Sequence, residues 1–101
     1  MWILESTDPQ FELLFRMLPG EREPKTMGRA PRADFIVDAP LVSRLHCRLN
    51  LDEKAQLAVQ DLGSTNGTLV NGTRIDRAER LRFGDELAIG RIALRLEKGA
   101  G

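Results

Sequence analysis

Apolar and polar residues alternate with a period of two along much of this 101-residue chain. The last run is the clearest: Ile92, Leu94 and Leu96 alternate with Ala93, Arg95 and Glu97. The same spacing sets Cys47, Leu49 and Leu51 against His46, Arg48 and Asn50. It also sets Leu57 and Val59 against Gln56, Ala58 and Gln60. A period of two sends successive side chains to opposite faces, so each run predicts a strand with one buried and one solvated face. Shorter β-prone runs at 35–37, 80–83 and 86–89, and a partly alternating one at 11–18, extend the pattern. Pro19-Gly20, Asp52-Glu53-Lys54 and Gly84-Asp85 punctuate these runs as turns. Two stretches have helical composition: 10–18, with Pro9 in front of it, and 74–82, with its Ala, Glu and Arg. Neither carries a full cap or three turns of periodic apolar residues. About ten short strands joined by tight turns predict an all-β sandwich.

The densest turn signal lies at 61–72, where Asn66-Gly67 and Asn71-Gly72 flank the apolar pair Leu69-Val70. Asn-Gly is a strong turn signal because both residues tolerate positive φ. The first of these turns also carries Ser64, Thr65 and Asn66, a run of compact hydrogen-bonding side chains suited to gripping a polar ligand. Asn71-Gly72 reads as a plain hairpin turn.

Charge and composition narrow the classes. Fifteen basic and fifteen acidic residues cancel, which argues against a general nucleic-acid or membrane binder. Arg74, Arg77, Arg80 and Arg82 are interleaved with Asp76 and Glu79 and read as a solvated surface. The single cysteine, Cys47, excludes an internal disulfide and sits in an alternating context that makes it buried filler in a reducing compartment. Glu5 and Asp8 interrupt the apolar Trp2-Ile3-Leu4, so there is no signal-peptide core. No apolar run approaches the ~20 residues of a membrane span. A cytoplasmic or nuclear setting is the expectation, with one domain over 1–98 and a Gly-rich tail or linker start at 99–101.

Three polar clusters fall between the alternating runs: Gly28-Arg29, Ser43-Arg44-Leu45-His46 and Ser64-Thr65-Asn66-Gly67. Loops of a sandwich gather at its two ends, so clusters distant in sequence can share one site. Arg29 and Arg44 offer fixed positive charge and planar forks of N–H donors, while Ser43, Thr65 and Asn66 offer compact donors. No carboxylate stands among them. A dianionic phosphate wants this combination, and arginine meets it with bidentate geometry.

Gly28-Arg29, Ser43-x-x-His46, Gly63-Ser-Thr-Asn-Gly-Thr68 and Asn71-Gly72, in this order and spacing, resemble the forkhead-associated (FHA) domain, a family of phosphomotif readers. The resemblance runs over about 26–96. It implies an eleven-stranded β-sandwich of two twisted, mainly antiparallel sheets that binds phosphothreonine peptides through loops at one end. By the same resemblance Arg29, Ser43, Arg44 and Thr65 would meet the phosphate, and Asn66 the peptide backbone. Gly28, His46 and Gly67 would support the site, Gly28 by letting the backbone turn that aims Arg29. Arg32, in the loop after Arg29, is suited to acidic or extended parts of a ligand and is not a primary phosphate ligand. The implied partner is a phosphothreonine-containing protein, or a phosphorylated segment of the same protein. No nucleic acid, membrane, cofactor or metal is expected. Two departures from the family pattern, Cys47 after the histidine and the bulky Phe35, are expected in the core.

Other chemistries fit poorly. Ser43-x-x-His46 lacks a nucleophile elbow, and one histidine in the whole chain is a poor start for a metal site. The loop at 63–68 lacks the Gly-Lys-Ser/Thr ending and following helix of a nucleotide loop. The Asn-Gly-Thr sequons at 66 and 71 are coincidences of turn chemistry. The chain is therefore not expected to be an enzyme. The alternative function is a phosphate-independent assembly domain using a sheet face or edge.

Overall fold

Each alternating run pairs with another so that its apolar set faces inward. A computed structural model describes residues 1–99. Among them eleven strands form two sheets: β1 (Trp2–Ser6), β2 (Leu14–Met17), β3 (Lys25–Gly28), β4 (Phe35–Ile36), β5 (Cys47–Leu51), β6 (Leu57–Asp61), β7 (Thr68–Val70), β8 (Thr73–Arg74), β9 (Glu79–Arg80), β10 (Glu86–Ile89) and β11 (Ile92–Lys98). One sheet has the order β2-β1-β11-β10-β7-β8 and the other β4-β3-β5-β6-β9. Pairing is antiparallel except for the short parallel pair β3–β4.

The core lies between the sheets. Leu87, Ile89, Ile92, Leu94 and Leu96 from one sheet meet Met27, Cys47, Leu49, Leu57 and Val59 from the other, all buried. Each such side chain contributes about 1.5–3 kcal/mol by leaving water. Phe35 is half-buried and stacks on Phe15 with ring centroids 4.9 Å apart, joining the edge strands β2 and β4.

Neither stretch of helical composition is helical. In 10–18, Asp8 makes a turn instead, accepting the Gln10 N–H on its side chain and the Phe11 N–H on its carbonyl; the chain then enters β2. In 74–82 the buried residues are Ile75 and Leu81, with exposed residues between them. Two anchors six positions apart cannot make one helical face, and the Leu81 N–H is instead bound to the Leu57 carbonyl at 2.8 Å. Asn71 (φ 50°) and Gly72 (φ 81°) form the two-residue turn of the β7–β8 hairpin, with Val70 opposite Thr73. Of the 99–101 tail expected from the sequence, Gly99 donates its N–H to the Met1 carbonyl, and positions 100 and 101 lie outside the described residues. No helix among the described residues is long and apolar enough to cross a membrane.

Candidate phosphopeptide site

Loops between strands β3 and β4, β4 and β5, and β6 and β7 meet at one end of the sandwich. Gly28 brings the first two together. A Cβ at this position would lie 2.1 Å from the Arg44 carbonyl oxygen and 2.9 Å from the Leu45 Cα. The glycine is needed for this close approach of two backbones, not for a turn: its φ is not among the positive ones. That corrects the role expected for it. The approach lets the Arg29 N–H bond the Ser43 carbonyl and the Ala30 N–H the Arg44 carbonyl, both at 3.0 Å.

His46 joins the second and third loops. It is fully buried immediately before β5. Its Nδ1 accepts the Ser43 N–H at 3.0 Å, and its Nε2 lies 2.7 Å from the Gly67 carbonyl oxygen. A nitrogen that accepts an N–H carries no proton, so the proton is on Nε2 and is donated to Gly67. Gly67 has a φ of 86°, which favours glycine; a Cβ there would come within 2.6 Å of the exposed Arg74 side chain, which can swing aside, so the backbone angle is the constraint. Asn66 keeps an ordinary negative φ, so the first Asn-Gly pair, unlike Asn71-Gly72, is not a two-residue hairpin turn.

The third loop folds around Asp61. Its Oδ1 accepts the Ser64 and Thr68 hydroxyls at 2.5 and 2.7 Å, and its Oδ2 accepts the Gly63 and Ser64 N–H groups at 3.0 Å. Burial alone would raise this carboxyl. The four hydrogen bonds from Ser64, Thr68 and Gly63 outweigh it and hold the group below its usual 3.8. The Ser64 hydroxyl in turn accepts the Gly67 N–H at 2.9 Å. Ser64 thus braces the loop from within.

The three loops enclose an open cleft of about 520 Å³ lined by Arg29, Ser43, Thr65 and Asn66 together with 38–42. Arg29 is exposed; its Nε donates to the Val42 carbonyl at 3.1 Å, and its terminal nitrogens have no protein partner among the described residues. The Ser43 Oγ accepts the Thr65 N–H at 3.1 Å, which leaves its own proton to donate elsewhere. The Asn66 amide Nδ2 holds the Leu41 carbonyl at 2.9 Å and leaves Oδ1 as an acceptor. Arg44 is exposed but lines a neighbouring hollow with Arg29 and Arg32 rather than the cleft itself. Cys47 lies in the core as expected, whereas Phe35 is half-buried and packs against the core from the edge strand β4. The Cys47 thiol is pushed up to about 12 by burial and, secondarily, by the Asp61 charge.

Some residues at the site were not legible as such. Asp61 opens a turn-rich stretch and has the Asp-x-Gly-Ser pattern of a side chain capping its own turn. Leu41 takes a φ of 70° and stands exposed on the cleft lip, with nothing in its local sequence to announce it. Asp38 places a carboxylate in the lining, where the sequence clusters had none.

The family model for the FHA domain matches residues 25–90, about two thirds of the chain. The chain belongs to the forkhead-associated family. The FHA domain is 38% identical over 72 residues to proliferation marker protein Ki-67 of Mus musculus, covering 71% of this chain and 2% of that one. It is 43% identical over 67 residues to the glycogen accumulation regulator GarA of Mycolicibacterium smegmatis, covering 66% of this chain and 41% of that one. It thus spans less than half the length of either relative. Among solved structures, Mycobacterium tuberculosis EmbR in complex with a low affinity phosphopeptide is similar at a TM-score of 0.81. That match has 25% identity and covers 99% of this FHA domain and 25% of that chain.

Proposed function

We propose that this FHA domain is a non-catalytic module that docks a phosphothreonine-containing segment of a partner protein. The observation that carries the reading is the convergence of unpaired donors on one cleft: the Arg29 guanidinium terminus and the Ser43 hydroxyl, with Thr65 beside them. A phosphate dianion supplies the acceptors they lack. Asn66 Oδ1 receives a peptide N–H, and Arg44 adds positive charge from the adjacent hollow. Gly28, His46 and Gly67 hold the loops in place.

The non-catalytic part of the reading is supported by His46. Its Nδ1 is occupied by the Ser43 main chain, not by the hydroxyl, and its Nε2 by Gly67. Neither ring nitrogen is free to act as a base on Ser43. The relatives' names, a regulator and a proliferation marker, agree with a binding role.

Calorimetric titration with matched phosphothreonine and unphosphorylated peptides tests the proposal. Charge-assisted hydrogen bonds are worth about 1.5–3 kcal/mol, so Arg29→Ala or Ser43→Ala should weaken phosphopeptide binding roughly ten- to a hundredfold. Equal affinity for the two peptides would refute it.

A further inference from the structure

Arg29 forms a wall of two hollows. Beside the cleft lies a second one, of about 440 Å³, lined by Arg29, Ala30, Pro31, Arg32 and Arg44. Three of its five lining residues are arginines and none is acidic, whereas the cleft includes Asp38. The whole chain balances fifteen basic against fifteen acidic residues. This wall is therefore a local excess of positive charge and not a sample of the average surface. Among the described residues no carboxylate stands within ion-pair distance of Arg29, Arg32 or Arg44.

The backbone under these arginines is fixed. The Arg29 and Ala30 N–H groups bond the Ser43 and Arg44 carbonyls, and the Ala33 N–H bonds the Ala30 carbonyl at 3.0 Å, closing a turn around Pro31-Arg32. Ala30 and Ala33 are buried and pin that turn to the sandwich. Three like charges are thus mounted on a rigid ledge, where they repel each other until an anion arrives. We infer that this ledge is a second anion subsite, which takes a phosphate or carboxylate group carried on the same ligand as the phosphothreonine.

The inference rests on the phosphothreonine reading of the cleft and names a class of ligand within it: segments with two anionic side chains. Hollows of these volumes are roughly 10 Å across, and at ~3.3 Å per residue two such neighbours lie about two to four residues apart on an extended chain. Arg32 and Arg44 both line this hollow and not the cleft, and of the two Arg32 is the one given no part in holding the phosphothreonine, so it is the residue that tests the ledge.

The test starts from the best singly phosphorylated sequence in an oriented phosphothreonine library. Fluorescence anisotropy then compares it with versions carrying a second phosphothreonine, a glutamate or an alanine two to four residues away on either side. A second phosphate should tighten binding about fivefold or more and glutamate about twofold, and both gains should shrink as salt rises from 0.05 to 0.5 M at a Debye length of about 10 Å in 0.1 M salt. Arg32→Gln should abolish the gain and leave the singly phosphorylated affinity unchanged. A gain for phosphate alone marks a phosphate subsite, and equal gains mark a general acidic one. No gain at any spacing overturns the inference, as does an equal loss of both affinities in Arg32→Gln. If even the singly phosphorylated peptide binds no better than its unphosphorylated match, the reading of the cleft itself has failed.

Discussion

Replacing Gly28 by alanine adds one methyl group at the point where two loops touch. The added Cβ would sit 2.1 Å from the Arg44 carbonyl oxygen, and all three of its nearest neighbours are backbone atoms. Ordinary contact begins near 3.4 Å, so the 44–45 backbone must retreat by about 1.3 Å. A retreat of that size breaks the Arg29-to-Ser43 and Ala30-to-Arg44 hydrogen bonds, now 3.0 Å each. Overpacking costs about 1–3 kcal/mol and each lost bond about 1 kcal/mol, so the expected destabilisation is about 3–5 kcal/mol. For a domain of this size that lowers the melting temperature by roughly 15–30 °C. Gly63→Ala is the control: its Cβ would meet nothing within 4 Å, and its only burden is a φ of 74°, worth about 1–2 kcal/mol. Differential scanning calorimetry on both variants reads the contrast. A Gly28→Ala melting point within about 5 °C of the parent, or a shift no larger than that of Gly63→Ala, would refute the close-approach argument. At a temperature where Gly28→Ala is still folded, its phosphopeptide affinity should fall as well, because Arg29 and Ser43 are displaced together.

Asp61→Asn should destabilise the fold by about 2 kcal/mol in urea titrations, since an amide cannot accept all four of the hydrogen bonds the carboxylate holds. Because the folded Asp61 carboxyl lies below its usual 3.8, the unfolded chain binds its proton first on acidification. The parent should therefore lose stability as pH falls from about 4 through the folded value, and Asp61→Asn should lack that part of the slope. Cys47 has its thiol raised from 9.0 to about 12, so the stability it contributes is intact below pH 9 and lost as pH rises towards 12. In the folded domain at pH 8 it should resist maleimide labelling that the urea-unfolded chain accepts quickly; fast native-state labelling would contradict its burial.

The strands were legible because alternation is a local property: Ile92 to Leu96 announces its buried face whatever it packs against. The polar loops were legible as clusters, and their spacing carried the family likeness. What could not be read was distance between segments. Gly28 needs to be glycine because of Arg44, sixteen positions away, and no turn preference at position 28 expresses that. Leu41 adopts its strained φ of 70° while its carbonyl is held by Asn66 and its backbone packs against Gly90. Both partners are remote in sequence. The 74–82 stretch misled through composition, because its exposed residues favour a helix while its two buried anchors are tied to the sandwich. Asp61 was hidden differently: acidic residues are common in turns, and only the four donors around it set it apart.

The cross-bracing of the loops, His46 to Gly67, Ser43 to Thr65 and Asn66 to Leu41, bears on time as much as on affinity. A cleft already stitched together has little left to order when a ligand arrives, so encounter need not wait on a loop rearrangement. Association should then fall in the ordinary range of about 10⁵–10⁷ M⁻¹s⁻¹ for nearly any competent segment. Discrimination among marked partners would reside in how long each one stays, which makes this end of the sandwich a timer of dwell rather than a gate on arrival.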